Sequence, residues 1–397
     1  MKYNTCPLKK GGMKIQQTKI INFGKRSGLK VHPVSLGAMR LPEDIDKAVS
    51  LLRQAIDAGM IYIDTSRGYS DSELKLAKAL KDGYREKVIL STKWSPWVIK
   101  IEPDDNTSAD CMYKRIVESI TRLDVDYLDF YQIWSINNEK QYLQATQKGS
   151  MLDGIFRAMK EGLVKHTGFT THDTPENISR YIDEADWCEA ILFTYNMLER
   201  TYRDVIAKAH AKGIATIVMN PLCGGLFVED VPQIKNALEN ALGIDDTVQA
   251  AHRWLKGDEN VDTILCGIQK PSDIISTLAN YEKEPLSAEQ RNRVEKEFAK
   301  ISKEHTGFCT DCKYCLPCPK DINIPGFMNA AYFSEFLNAD QRARGGYGWQ
   351  LSPVNASKSA DPADCIECGK CEQKCTQKIK IIETLKVLKE KFGQEKK

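Results

Sequence analysis

No stretch of this chain approaches the roughly 18 consecutive apolar residues that a membrane-spanning helix needs. The first residues, Met1–Gly12, carry lysines with no apolar run behind them, so no secretory leader is predicted. Charge of one sign is lacking too. Fifty-six basic residues against 54 acidic ones leave a net charge of +2, which excludes a general attraction to nucleic acid or an anionic membrane. Low-complexity tracts are missing, apart from a lysine-rich tail after residue 385. Histidine is scarce at six residues, and no G-x-G-x-x-G follows an early strand-like run. These absences predict a globular cytoplasmic protein without membrane or nucleic-acid partners. They also argue against an open doubly wound sheet.

Cysteine, by contrast, is plentiful, with 13 residues. Cys6, Cys111, Cys188, Cys223 and Cys266 are scattered, and the other eight crowd into two runs after residue 308. In a reducing compartment such clustering points to metal or redox chemistry and not to structural disulfides.

Residues 18–33 read as a short hairpin turning at Lys-Arg-Ser-Gly. Eight strand-like runs follow, at 34–39, 60–64, 87–93, 127–134, 164–171, 190–196, 215–221 and 261–268. Helical periodicity fills the intervals, as in Asp44–Asp57, where Ile45, Ala48, Leu51, Leu52, Ala55 and Ile56 form one stripe. Gly59, Gly162, Gly213 and Gly257 stand where helices should end. Eight strands alternating with helices predict an α/β fold, a closed (β/α)₈ barrel. A polar helix over 287–304 would link it to a small α+β module. The predicted organisation is a tail at 1–17, a barrel at 18–286, the linker helix, and a cysteine-rich domain at 305–397.

The first cysteine run is Cys309, Cys312, Cys315 and Cys318, followed by Pro319; the second is Cys365, Cys368, Cys371 and Cys375. Two-residue spacing lets successive thiolates turn inward around one cubane. A pair of zinc sites is the rival reading, but zinc knuckles usually separate their C-x2-C units widely and often recruit His. Neither run contains a histidine. The runs resemble the bacterial ferredoxin domain, with x2 in place of x3 before Cys318 and Thr376 where a proline usually follows Cys375. That resemblance implies two [4Fe–4S] clusters with exchanged fourth ligands. One would use Cys309, Cys312, Cys315 and Cys375, the other Cys365, Cys368, Cys371 and Cys318.

The segment Asp64-Thr65-Ser66-Arg67-Gly68-Tyr69-Ser70-Asp71-Ser72-Glu73 follows the second barrel strand, and Ser91-Thr92-Lys93 ends the third. Alone, these residues make chemical sense. A carbonyl that accepts hydride needs a proton, tyrosine can give one if its phenolate is stabilised, and an ammonium held by a carboxylate does that. In order and placement they resemble the aldo-keto reductase family, whose pattern D-T-A-x-x-Y-G-x-S-E and then T-K is matched with Ser66 for Ala and Ser70 for Gly. The resemblance implies hydride transfer between NAD(P)H and a carbonyl or hydroxyl of a small substrate, with Tyr69 as acid, Lys93 as its tuner and Asp64 holding Lys93; Lys270 favours NADP over NAD.

The family's fourth residue is a histidine ending the fourth strand. Trp134 stands there, and Gln132 lies two residues earlier on the same side. Either could donate one hydrogen bond to a substrate oxygen, Gln by its amide and Trp by its indole N–H. For the cofactor, the resemblance points to Thr170 and Thr171 at the carboxamide and Met219 at the nicotinamide ring. It places Leu222 and Gly224 at the pyrophosphate, and Gly267 and Lys270 at the adenosine phosphate. Leu192 replaces the usual glutamine near the sixth strand. His32, His210 and His252 read as structural, and His172 as a substitute donor in the pocket. Clusters carry single electrons and nicotinamide a hydride, yet no flavin motif is visible to join them. The rival readings are therefore an enzyme fed by a ferredoxin or other electron-transfer partner, and a redox sensor with a vestigial barrel.

Overall fold

The computed structural model describes residues 20–304, 309, 315–352, 355, 359–375 and 377–393. By contact the chain divides into two compact units. One holds the residues up to Pro221 together with His252–Pro285; the other holds Leu222–Ala251 and the chain from Leu286 onward.

The first unit is a closed eight-stranded parallel barrel, as the alternation of strand-like and helical runs predicts. A two-residue antiparallel hairpin comes first, β1 (Ile21–Asn22) and β2 (Lys30–Val31). The barrel follows as β3 (Val34–Gly37), β4 (Tyr62–Asp64), β5 (Ile89–Trp94), β6 (Leu128–Ile136), β7 (Val164–Thr171), β8 (Ala190–Thr194), β9 (Ala215–Met219) and β10 (Thr263–Cys266). Each strand pairs with the next, and β10 pairs back with β3.

The hairpin plugs the end of the barrel where the strands begin. Phe23, fully buried, packs its ring 5.1 Å from Tyr62 and 5.6 Å edge-on from Phe130. Burying such a ring stabilises the fold by about 1.5–3 kcal/mol. With that end filled, the opposite mouth, where the strands end, is left for chemistry.

The helices form where their caps and stripes dictate. In Ile45–Asp57 the stripe Ala48, Leu51, Leu52, Ala55 and Ile56 is buried, and the Asp44 carboxylate accepts the Lys47 N–H at 2.9 Å. Ser108 and Thr174 cap Ala109–Leu123 and Pro175–Glu184 in the same way. Gly59, Gly162 and Gly213 do end helices with positive φ; Gly257 is not among the positive-φ glycines. Before residue 286 the intervals between strands also hold Ser72–Ala79, Glu139–Thr146, Pro232–Leu242 and Pro271–Glu282, helices whose stripes the sequence does not show clearly.

In the second unit the described residues after 304 form helices and turns, with no strand among them. Phe327, Tyr347 and Phe392 make its aromatic centre, with ring centroids 5.3 and 6.3 Å apart in sequence order, and Leu385 and Leu388 are buried beside them. Among the described residues no helix is long and apolar enough to cross a membrane. The N-terminal tail 1–17 and Cys312 lie outside the described residues.

Candidate functional site

The ends of β4 and β5 bring Asp64, Lys93 and the following Tyr69 together. Asp64 closes β4, Lys93 is the fifth residue of β5, and Lys93 lies in register with Gln132 of β6. Asp64 and Lys93 are 3% and 2% exposed and form an ion pair, Lys93 Nζ to Asp64 Oδ2. Nζ also donates to the Thr65 carbonyl at 2.8 Å and sits 4.9 Å from the centroid of the Tyr69 ring.

The electrostatics follow from burial and from this pair. Burial raises the Tyr69 pKa above its ordinary value, and the Lys93 ammonium only partly pulls it back. Burial works against the charge on Lys93, but Asp64 and Tyr69 together outweigh it and keep its pKa above the usual lysine value. Burial also raises Asp64, against the pull of Lys93. The pair is ionised, because the Lys93 ammonium is held by a carboxylate, a carbonyl and a phenol at once.

The rest of the motif builds the loop that carries Tyr69. Ser66 Oγ donates to the Lys93 carbonyl at 3.0 Å and accepts the Gly68 N–H at 3.1 Å. Ser72 Oγ donates to the Ala38 carbonyl and lies 2.8 Å from the Thr65 hydroxyl. Glu73, 1% exposed, accepts from the Thr92 hydroxyl and from Arg122, both at 2.9 Å. Ser70, standing where the family has glycine, adopts φ +48°. The sequence analysis gave these residues no role; the signal was there in the clustering of small hydroxyls around a buried acid.

Trp134 and Gln132 part company in the structure. Trp134 stands edge-on against Tyr69, with centroids 5.4 Å apart and planes at 87°. A bulge in β6 after Ile133 aims it there: Ser135 takes φ +61° and donates its N–H to Thr170 Oγ1 at 2.7 Å. The Trp134 carbonyl accepts from Ser95 Oγ at 2.6 Å and Trp97 Nε1 at 2.9 Å. Gln132, fully buried, points inward. Its amide N–H₂ donates to Ser91 Oγ at 2.8 Å and to Tyr62 OH at 3.3 Å. It therefore joins an interior polar layer, and no contact places it against Tyr69.

Of the predicted cofactor residues, Thr170 keeps its own proton to donate, since it accepts from Ser135. Thr171 spends its hydroxyl on the Ile136 carbonyl at 2.7 Å. Leu192 is buried in the barrel core and Met219 lies partly buried against it. Gly267 and Lys270 are exposed, and Lys270 precedes the helix Pro271–Glu282. Leu222 and Gly224 belong to the second unit, with φ +67° at Gly224. His172 is exposed, its ring 3.5 Å from the Thr194 hydroxyl. His32 is buried, and burial lowers its pKa to about 4.

In the second unit Cys318, Cys365, Cys368 and Cys371 line one cavity, together with Cys315. Among the described residues no three potential ligands gather as they would around a single ion. Cys375 is buried and Cys309 partly buried.

A family model described as the aldo/keto reductase family matches residues 33–297, and one described as a 4Fe-4S dicluster domain matches 308–379. The chain is 27% identical over 251 residues to the 6-dehydroglucose reductase of Novosphingobium aromaticivorans, covering 58% of this chain and 79% of that protein. It is 26% identical over 301 residues to the L-galactose dehydrogenase of Arabidopsis thaliana, covering 68% and 91%. Among solved structures, an aldo-keto reductase from Bacillus halodurans in its holo form superposes with a TM-score of 0.62 at 22% identity, covering 71% of this chain and 96% of that one.

Proposed function

From the premise that this chain belongs to the aldo/keto reductase family and carries a 4Fe-4S domain, we propose that it exchanges hydride between NADP(H) and a carbonyl or hydroxyl of a small substrate at the barrel mouth. The observation that carries this reading is the buried Asp64–Lys93 pair beneath Tyr69. Bound NADP(H) would supply the hydride. Tyr69 keeps its proton at neutral pH, because burial raises its pKa, and so holds it ready for the nascent alkoxide. Lys93 stabilises the phenolate left behind, and Asp64 keeps Lys93 charged and in place.

The residues present fit the cofactor. The Thr170 hydroxyl offers a donor to a carboxamide. Lys270, beside the N-terminus of a 12-residue helix, suits a phosphate. Met219 would pack on the ring, and Gly267 supplies backbone that a dinucleotide can approach. Both relatives are named for sugar substrates, so a sugar carbonyl is the first class to assay.

Tyr69→Phe tests the reading. It should lower kcat by about 10²–10⁴ while NADPH binding, followed by fluorescence titration, stays intact. In the parent protein the reduction rate should hold through neutral pH and fall only as pH rises past the ordinary tyrosine range near 10, because reduction consumes the protonated phenol. Undiminished turnover in the variant would remove Tyr69 from the mechanism.

The thiol-lined cavity fits an iron–sulfur cluster, since soft thiolates are the donors such clusters require. When present, two [4Fe–4S] clusters would carry single electrons. The exposure of Cys368 favours a second reading, in which those electrons come from an external carrier. The grouping of Cys318 with the 365–371 run makes the ligand exchange testable. Cys318→Ser should alter the EPR signal of the cluster held by that run. A change confined to the cluster of Cys309 and Cys315 would contradict the exchange.

A further inference from the structure

The cysteine cavity opens on a face whose charge is opposite to what its contents bring. A cubane held by four thiolates is net negative, so an exposed one repels anionic visitors. Lys370 and Lys374 stand at the rim of this cavity, at both ends of the short helix Lys370–Lys374. Lys378 and Lys380 follow, and all four side chains are exposed. Residues 366–380 hold four lysines against two glutamates, an excess as large as that of the whole chain.

Both glutamates are already engaged. Glu367 pairs with Lys386 at 2.8 Å, and Glu372 Oε1 accepts the Ile382 N–H at 2.8 Å. Lys380 pairs with Glu383 at 3.4 Å, but among the described residues no carboxylate lies within ion-pair reach of Lys370, Lys374 or Lys378. Ile366, 56% exposed, lines the same cavity with Lys370, Lys374 and the exposed Cys368. An exposed apolar residue beside a predominantly basic segment, with its carboxylates already engaged, matches the apolar core and polar rim of a protein interface. It is not needed to hold the fold, since the neighbouring core is made by Leu385, Leu388 and Phe392.

We propose that this face docks a small acidic one-electron carrier protein of the ferredoxin class, which passes its electron to the cluster behind Cys368. This deepens the second reading above and rests on it. One electron leaves the reduced carrier and is taken up by the cluster; the carrier is oxidised, and no atom or proton changes hands. The lysines act first at a distance, steering the carrier, and then at contact, offsetting the charge of the thiolates.

The test uses the full-length, anaerobically purified protein, with a plant-type [2Fe–2S] ferredoxin as probe. Binding of the oxidised probe is read by calorimetry, and its reduced form is used to follow bleaching of the cluster absorption. Rising salt should slow association by about tenfold or more. Lys370→Glu/Lys374→Glu should weaken binding of the oxidised probe by about tenfold. Lys378→Glu/Lys380→Glu, a pair that does not line the cavity, should do the same and serves if the first pair loses iron. Lys47→Glu/Lys78→Glu, equal in charge and placed on the barrel unit, should leave binding unchanged. Iron-replete protein that ignores the probe, or lysine variants that bind it as the parent does, would overturn the docking site. So would lysine-dependent binding to phosphatidylserine vesicles without ferredoxin binding. Absence of iron and sulfide would instead sink the iron–sulfur reading itself, and the two failures are thus distinguishable.

Discussion

Lys93→Met is expected to abolish turnover and to lower folding stability by about 3–5 kcal/mol, the usual cost of removing one partner from a buried ion pair. Asp64 would stay 3% exposed, and its Oδ1 already has no hydrogen-bond partner. With the ammonium gone, burial acts on the carboxyl with only the Ser91 hydroxyl to oppose it, and raises its pKa further. The sign of the pH dependence follows. A carboxyl whose folded pKa lies above its unfolded value favours folding while protonated, and that contribution is lost as pH rises through the interval between the two values. The variant's defect should therefore shrink on acidification and be largest at neutral pH. Urea denaturation at two pH values would show this. Asp64→Asn/Lys93→Met should recover part of the loss, because neither partner then leaves a buried charge. A single variant that unfolds at the parent's urea midpoint would mean that the pair is hydrated and does not govern Tyr69.

Trp134→His should raise turnover of small aldehydes by about 10²–10³. Restoring a preorganised donor to the substrate oxygen is worth roughly 2.7–4 kcal/mol of transition-state stabilisation. The geometry favours the exchange, because the indole stands 5.4 Å from the Tyr69 ring and the backbone beneath it is tied down by Ser95, Trp97 and Thr170. Tyr69→Phe in the same background should cancel the gain. Steady-state rates with NADPH and a short aldehyde would decide it. If Trp134→His gains nothing while folded and binding NADPH, hydride chemistry on a simple carbonyl is not this barrel's task, and the externally supplied electrons take precedence.

Much of the barrel was legible because its strands are short apolar runs, most of them followed by a helical stripe. The helix Ser72–Ala79 was not, since its sequence SELKLAKA reads as the end of a motif and is too short to show a stripe. Asp64, Tyr69 and Lys93 were legible from order alone. The split between Gln132 and Trp134 was not. Alternation puts them on one side, but depth and a bulge decide what each touches, and nothing in the run YLDFYQIW marks Ser135 for positive φ. Sequence composition shifts near residue 305, whereas contact places Leu222–Ala251 with the C-terminal residues. No change in residue type announces that grouping, because it depends on which helix packs where. The cysteine runs were legible by spacing, whereas Lys370, Lys374, Lys378 and Lys380 carried no signal of their own until the cavity gave them a position.

Gly68 and Trp134 are bound to one history. A Cβ placed on Gly68 would fall 2.6 Å from the indole ring, far inside contact distance. A lineage that keeps the tryptophan can therefore accept no side chain at 68, however well the loop would otherwise tolerate one. Once the indole is traded for something smaller, Ile99, 3.1 Å from such a Cβ, still crowds position 68. After a side chain is gained there the way back is barred, because the tryptophan no longer has room. Sterics thus favour losing the indole before position 68 gains a side chain.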